Sequence, residues 1–327
     1  MDYNVSRRPG AEVWKCRKRR GGAPLERIGG KMEDVRVELA LNTDFAGEGT
    51  QLEQIRGTLE GIARAGFTHI HWCHEWDGEY MYSAYEMRQI REWMDEYGLR
   101  SKALHATKGG ARDVNVRERH YRKDYTSNWE YNRKAGVELI QNRVDLAAAL
   151  GAGEIVLHLY VPYLTIRQKP EAKEDFYTCV FRSLDELMPY CLEKKVRICI
   201  ENLFDMPGEY MLEAWDRLFD RYRREFLGLC YDTGHANMVW REQAPEILER
   251  YGDRLYAVHI HDNNGAMDSH WIPGEGSICW EKVMGVIARS AYEGPLLLEL
   301  SCHDRDAERY LKRAYEAGCR LESMRRG

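Results

Sequence analysis

The sequence predicts an α/β protein built as a single (β/α)8 barrel, and three observations predict it. Short apolar runs alternate eight times with amphipathic helical stretches, and such alternation implies a parallel sheet covered by helices. The runs are continuous in Val, Ile and Leu, as strands buried on both faces are. Polar, ligand-type side chains recur where the runs end, and the carboxyl end of barrel strands is where such folds carry their chemistry.

The elements follow in order. Residues 35–42 read as the first strand and 51–65 as an amphipathic helix. Gly66 stands where a helix C-cap belongs, before a second strand over 67–73. The spacing predicts a helix over 83–97, a cap at Gly98 and a third strand over 99–106. A long charged loop spans 107–127 and holds Lys108, Arg112, Arg117, Arg119, Arg122 and Lys123. Loops of that length are functional or disordered; a solvated lid is the default reading, and a phosphate clamp the functional one. A helix over 129–150 leads to Gly151 and a fourth strand at 154–160. A helix over 171–194 precedes the fifth strand, 196–202, and one over 209–224 precedes the sixth, 226–235. A short helix near 242–250 leads to the seventh strand, 254–261. A helix over 279–290 precedes the eighth, 295–301, and a last helix runs from about 304 to 321. No GxGxxG follows the first strand, which argues against a dinucleotide site.

Composition narrows the class. The chain has 327 residues, 44% apolar and 31% charged, within reach of one barrel domain. No apolar run approaches the ~18 residues of a membrane span. Nine cysteines without a CxxC pair read as reduced thiols of a cytoplasmic protein. Residues 1–32 carry nine Lys/Arg against three Asp/Glu, a net of +6, so the remainder holds −11 of the whole chain's −5. Residues 1–34 are therefore read as a flexible basic arm and 35–327 as the barrel. An acidic barrel is a poor nucleic-acid face.

The strand ends carry the candidate site. His71 and His74 close the second strand, His105 the third, His158 the fourth and Glu201 the fifth. Asp232 and His235 close the sixth, His259 and His261 the seventh, and Glu299 the eighth. Asp262, Asp268 and His270 lie just past the seventh. Of the 11 histidines, eight fall at strand ends or in that one loop. Imidazole and carboxylate together suit zinc, manganese, iron or cobalt. A carboxylate facing a barrel mouth is costly unless paired or bound to a cation. Trp72, Trp76, Tyr160, Tyr163, Trp240 and Trp271 are aromatics at the mouth that can stack on the apolar face of a ligand, whereas Trp280 packs the start of its helix.

These residues carry a resemblance. IEN at 200–202, YDTGHAN at 231–237, HIHDNNG at 259–265, DSHWIPGEG at 268–276 and LLLEL at 296–300 resemble the xylose isomerase-like TIM barrels. The likeness extends over roughly 35–321 and includes sugar and sugar-phosphate isomerases and epimerases, inosose dehydratase and endonuclease IV. In the epimerase branch, the resemblance implies one divalent metal (manganese, magnesium, cobalt or zinc) held by Glu201, Asp232, His259 and Glu299. It makes Glu201 and Glu299 the acid/base pair of proton transfer next to a carbonyl, and puts His235 on substrate oxygens. His71, Trp72 and His261 are expected to contact the substrate beside it. The ketose 3-epimerases carry an Arg shortly after the seventh-strand His, where this chain has residues 263–267 without one.

In the endonuclease branch the resemblance implies two or three zinc ions. His105, His158, His235, Asp268 and His270 then join the four residues above as ligands. A lyase carrying out β-elimination on a keto-sugar or inosose uses the same barrel. The implied partner is a small sugar or polyol, with no membrane and no nucleic acid; a homo-oligomer is compatible with it.

Overall fold

The computed structural model describes residues 37–47, 52–107 and 122–327. The basic arm of 1–34 and the loop cations Lys108, Arg112, Arg117 and Arg119 lie outside the described residues.

Eight parallel strands form the barrel: β1 (Leu39–Asn42), β2 (His69–Trp72), β3 (Arg100–Thr107), β4 (Glu154–Leu157), β5 (Arg197–Glu201), β6 (Leu227–Asp232), β7 (Leu255–His259) and β8 (Leu296–Leu298). From β1 to β7 each strand pairs with the next in sequence, and β8 pairs with β1. A parallel bridge between Ile260 and Leu298 joins the β7 and β8 sides. Around it run α1 (Leu52–Ala65), α2 (Ala84–Glu96), α3 (Glu130–Leu150), α4 (Tyr163–Gln168), α5 (Ala172–Lys194), α6 (Gly208–Arg221), α7 (Thr233–Val239), α8 (Ala244–Arg250), α9 (Trp280–Arg289) and α10 (Ala307–Arg326). Among the described residues no helix is long and apolar enough to cross a membrane.

Alternation along the strands sorts side chains between two cores. Ile155, Leu157, Ile198, Ile200, Leu227, Leu229 and Val258 face the helices and join the large outer core. Val156, Cys199, Cys230 and Ala257 form a separate small cluster inside the barrel. Two residues further along those four strands come His158, Glu201, Asp232 and His259. The period of two therefore carries the inward row from an apolar plug to ligand-type side chains at the mouth.

Helix ends match the glycine signals. α3 stops at Gly151, whose φ of 75° is the left-handed conformation that a C-cap requires. The buried Arg143 of α3 donates to the carbonyls of Ala106 (3.0 Å) and Glu75 (3.1 Å), holding the backbone beside His105.

Two expectations are corrected. The sixth strand ends at Asp232, and Thr233–His235 begin α7. The Asp232 carboxylate accepts the His235 amide at 2.6 Å, an N-cap that starts a helix where the apolar run suggested more strand. The segment before 171 is also partly helical, as α4.

Candidate metal centre

Glu201 lies between four imidazoles. Its Oε2 is 3.0 Å from His158 Nε2 and 3.4 Å from His105 Nε2. Its Oε1 is 3.0 Å from His259 Nδ1 and 3.4 Å from His235 Nδ1. His259 Nδ1 is also 3.1 Å from Glu299 Oε2 and 3.8 Å from Asp232 Oδ2. One imidazole nitrogen thus stands within 3.8 Å of three carboxylates contributed by β5, β6 and the end of β8. All four residues are buried.

A second group lies on the β6 and β7 side. His235 Nδ1 is 2.8 Å from the Asn202 carbonyl, and His270 Nδ1 is 2.9 Å from the Glu299 carbonyl. A carbonyl only accepts, so both Nδ1 atoms carry the hydrogen. The two Nε2 atoms then face Asp268 Oδ2, at 3.3 Å and 3.1 Å. A histidine anchored through one nitrogen to a main-chain carbonyl, with the other aimed at a carboxylate, is the arrangement of a metal ligand. His261 Nε2 lies 3.0 Å from Asp232 Oδ2, and its ring stacks on His270 with centroids 4.0 Å apart. His235, His261, Asp268 and His270 place one donor atom each within 4.8 Å of one another; so do His105, His158 and Glu201.

Burial and neighbouring charges act against each other here. Burial alone would keep His235, His259 and His270 neutral. Facing carboxylates overcome it at His235 and His270, the latter raised to about 9, and at His259 Cys230 does so together with Glu299 and Glu201. Burial would likewise raise Glu201, Glu299 and Asp268, but the neighbouring imidazoles hold each below its ordinary range. Burial takes His105 down to about 4 and His71 well below its usual value. Several buried polar atoms make no aligned hydrogen bond: Glu201 Oε2, His259 Nε2, His105 Nδ1, His261 Nδ1 and Asp268 Oδ1. Orphaned buried groups of this kind mark the place of an ion or water. The donor set therefore fits a divalent metal at Glu201, Asp232, His259 and Glu299, and has capacity for more.

Some expected residues fall elsewhere. Trp72 follows the inward His71 and so points outward, among the helices. It is 1% exposed and its indole donates to Tyr82 Oη at 2.9 Å, which removes it from substrate contact. His74 packs edge-on against Trp72 on that side. Asp262 is a loop anchor: its carboxylate accepts from the amides of Asn263 and Gly274 and from Trp280 Nε1 (3.0 Å). Trp280 packs the start of α9, as expected. Trp76 stacks on His105 with centroids 4.0 Å apart. Phe204, overlooked in the sequence because it follows the IEN run inside a loop, lies 4.9 Å from the His235 ring and is 41% exposed.

Comparisons agree with this architecture. The sequence profile described as xylose isomerase-like TIM barrel matches residues 59–321. The chain is 38% identical over 285 residues to an uncharacterized protein of Sinorhizobium fredii, covering 83% of this chain and 90% of that one. It is 26% identical over 200 residues to the fructoselysine 3-epimerase of Shigella flexneri, covering 57% and 67%. Among solved structures, D-psicose 3-epimerase in the presence of D-fructose superposes with a TM-score of 0.68 at 15% identity, covering 89% of this chain and all of that one.

Proposed function

The chain belongs to the xylose isomerase-like TIM barrel family, and from that membership we propose that it is a divalent-metal-dependent isomerase or epimerase. Its substrate is a sugar or sugar phosphate, and it works by proton transfer beside a carbonyl. The observation that carries the reading is the convergence of Glu201, Asp232 and Glu299 on His259 Nδ1. Sugar epimerases among the relatives and structural neighbours support it.

A bound divalent ion supplies Lewis acidity to a carbonyl and its neighbouring hydroxyl. Glu201 and Glu299 lie on β5 and at the end of β8, on two sides of His259. One takes the proton from the carbon and the other returns it on the opposite face. The imidazoles around them favour the ionised form of both; one acts as the base, and the other has to take up a proton, from a substrate hydroxyl or solvent, before it can return it. His235 is fixed through Nδ1 to the Asn202 carbonyl; its Nε2, 3.3 Å from Asp268 Oδ2, is the atom that would meet substrate oxygens. His71 adds a buried donor with both nitrogens unpartnered, and His261 steadies Asp232. Trp76 and Phe204 offer ring faces at the rim.

The test is solvent deuterium exchange into keto-sugars, followed by NMR. Metal-dependent labelling at the carbon beside the carbonyl is the expected result. No labelling across free and phosphorylated ketoses would sink the reading. Labelling accompanied by loss of water would convert isomerisation into β-elimination.

A second reading is favoured by the two further donor groups, His105–His158–Glu201 and His235–His261–Asp268–His270. Two or three zinc ions held there would suit hydrolysis of a phosphodiester. The acidic barrel argues against DNA as its substrate.

A further inference from the structure

We propose that His71, Cys73 and Glu299 form an additional cation position on the β1, β2 and β8 side of the mouth, with Cys73 as a thiolate ligand.

His71 and Cys73 are two apart at the end of β2, so both turn to the same face. That face is the barrel interior, since the His71 ring lies edge-on to His259, with centroids 4.9 Å apart. His71, Cys73 and Glu299 are all buried and bring one donor atom each within 4.8 Å of one another. His71 is fully buried, and neither ring nitrogen has a hydrogen-bond partner. A buried imidazole left so is costly, because each unmet group has given up its water for nothing. Something therefore meets it when the protein is at work.

The surroundings select a cation. The Cys73 amide donates to Thr43 Oγ1 at 3.1 Å, which fixes the residue's backbone. Asn42 Nδ2 donates to Asp44 Oδ1 at 2.7 Å and holds that carboxylate on the same side. The Cys73 thiol donates to the His71 carbonyl at 3.5 Å, a weak contact that a cation would replace. On binding, the S–H proton leaves to the buffer and a sulfur–metal bond forms; nothing is oxidised. Thiolate, imidazole and carboxylate together select zinc or cobalt over magnesium or manganese. Glu299, which already faces His259 through Oε2, would be shared by the two positions. The proposal rests on Glu299 being a ligand, and not on the isomerase chemistry.

Cobalt(II) decides it. The chelator-treated protein is titrated with cobalt, and absorption and bound equivalents are recorded for wild type, Cys73→Ser and Glu201→Gln. A near-ultraviolet sulfur-to-cobalt charge-transfer band is expected in wild type and in Glu201→Gln. Cys73→Ser should lose the band and bind one equivalent less. No such band in wild type, or one that survives Cys73→Ser, overturns the proposal. Should Cys73→Ser fail to fold, X-ray absorption of the zinc-loaded wild type replaces it. A sulfur neighbour at about 2.3 Å supports the site and its absence overturns it. A wild type that shows the band but labels no keto-sugar keeps this site and loses the isomerase reading. Labelling without the band does the reverse.

Discussion

His158 Nε2 lies 3.0 Å from Glu201 Oε2, and that oxygen nevertheless accepts no aligned hydrogen bond. Two groups held this close without an aligned proton are placed for something between them. The same reasoning singles out Glu201 as the pivot of the centre, since His105, His158, His235 and His259 all reach it.

Glu201→Gln and Glu299→Gln keep the shape of each side chain and remove its basicity. Both variants are expected to fold, with circular dichroism like the wild type. Each should lose proton transfer by about 10²–10⁴-fold or more, the usual worth of a general acid or base. Deuterium incorporation measures this directly. Near-normal exchange in either variant would remove that glutamate from the mechanism.

Metal content separates the one-ion and several-ion readings. Asp268→Ala takes away the oxygen that His235 and His270 both face. If those residues bind an ion, the variant should bind one equivalent less than wild type by elemental analysis. Equal stoichiometry would leave His235 and His270 outside any metal site.

Much of this centre was legible because it follows strand parity. Glu201, Asp232 and His259 each stand two residues beyond an inward apolar side chain at the end of a strand, and the run of Val, Ile and Leu announces the strand. Parity fails where the strand frame is uncertain. Trp72 and His71 are adjacent in a strand buried on both faces, so polarity alone does not say which one turns inward. The start of α7 was hidden because the Asp232 cap and a metal-ligand carboxylate are the same residue. Asp262 looked like a ligand beside His261, yet a loop with that many turns needs an acceptor for its own amides, and Asp262 serves them.

The outward position of Trp72 has a consequence of its own. Trp72→Phe should leave KM for any substrate unchanged, since the ring lies among the helices. It should cost stability, because the indole bond to Tyr82 is lost and a cavity opens. The bond alone is worth about 0.5–1.5 kcal/mol, and the packing loss adds to that. Denaturant melts and steady-state kinetics on the same preparation test both halves. A raised KM at unchanged stability would return Trp72 to the substrate site.

Protons and metal compete for the same imidazoles. In the metal-free protein His235, His259 and His270 have raised pKa values, His270 about 9, against about 6.5 when unfolded. Their stabilisation is fully present below about pH 6.5 and is lost as pH climbs toward about 9. His71 and His105 are held neutral by burial and contribute no change in that window. The chelated protein should therefore melt at progressively lower temperature from about pH 6.5 to 9. Metal binding displaces those protons, so the gain in melting temperature on adding metal should grow over the same interval. Parallel pH curves with and without metal would sink this account.

Gly234 makes room for His261. A Cβ at position 234 would sit 2.0 Å from His261 Cε1 and 2.5 Å from its Nδ1, far inside contact distance. His261 cannot yield easily: it is fully buried, stacked on His270 and 3.0 Å from Asp232 through Nε2. Gly234→Ala should therefore push the imidazole off Asp232 and cost about 1–3 kcal/mol or more, the range for overpacking a dense core. Because Asp232 is proposed to hold the metal, affinity should fall as well, by the 10–100-fold typical of losing a residue that orients a ligand. His261→Ala in the same chain opens the space again and should recover much of the stability without the affinity. Calorimetric metal titration and thermal melts of the two single variants and the double variant test this. Additive losses in the double variant would mean that the two residues do not act through each other.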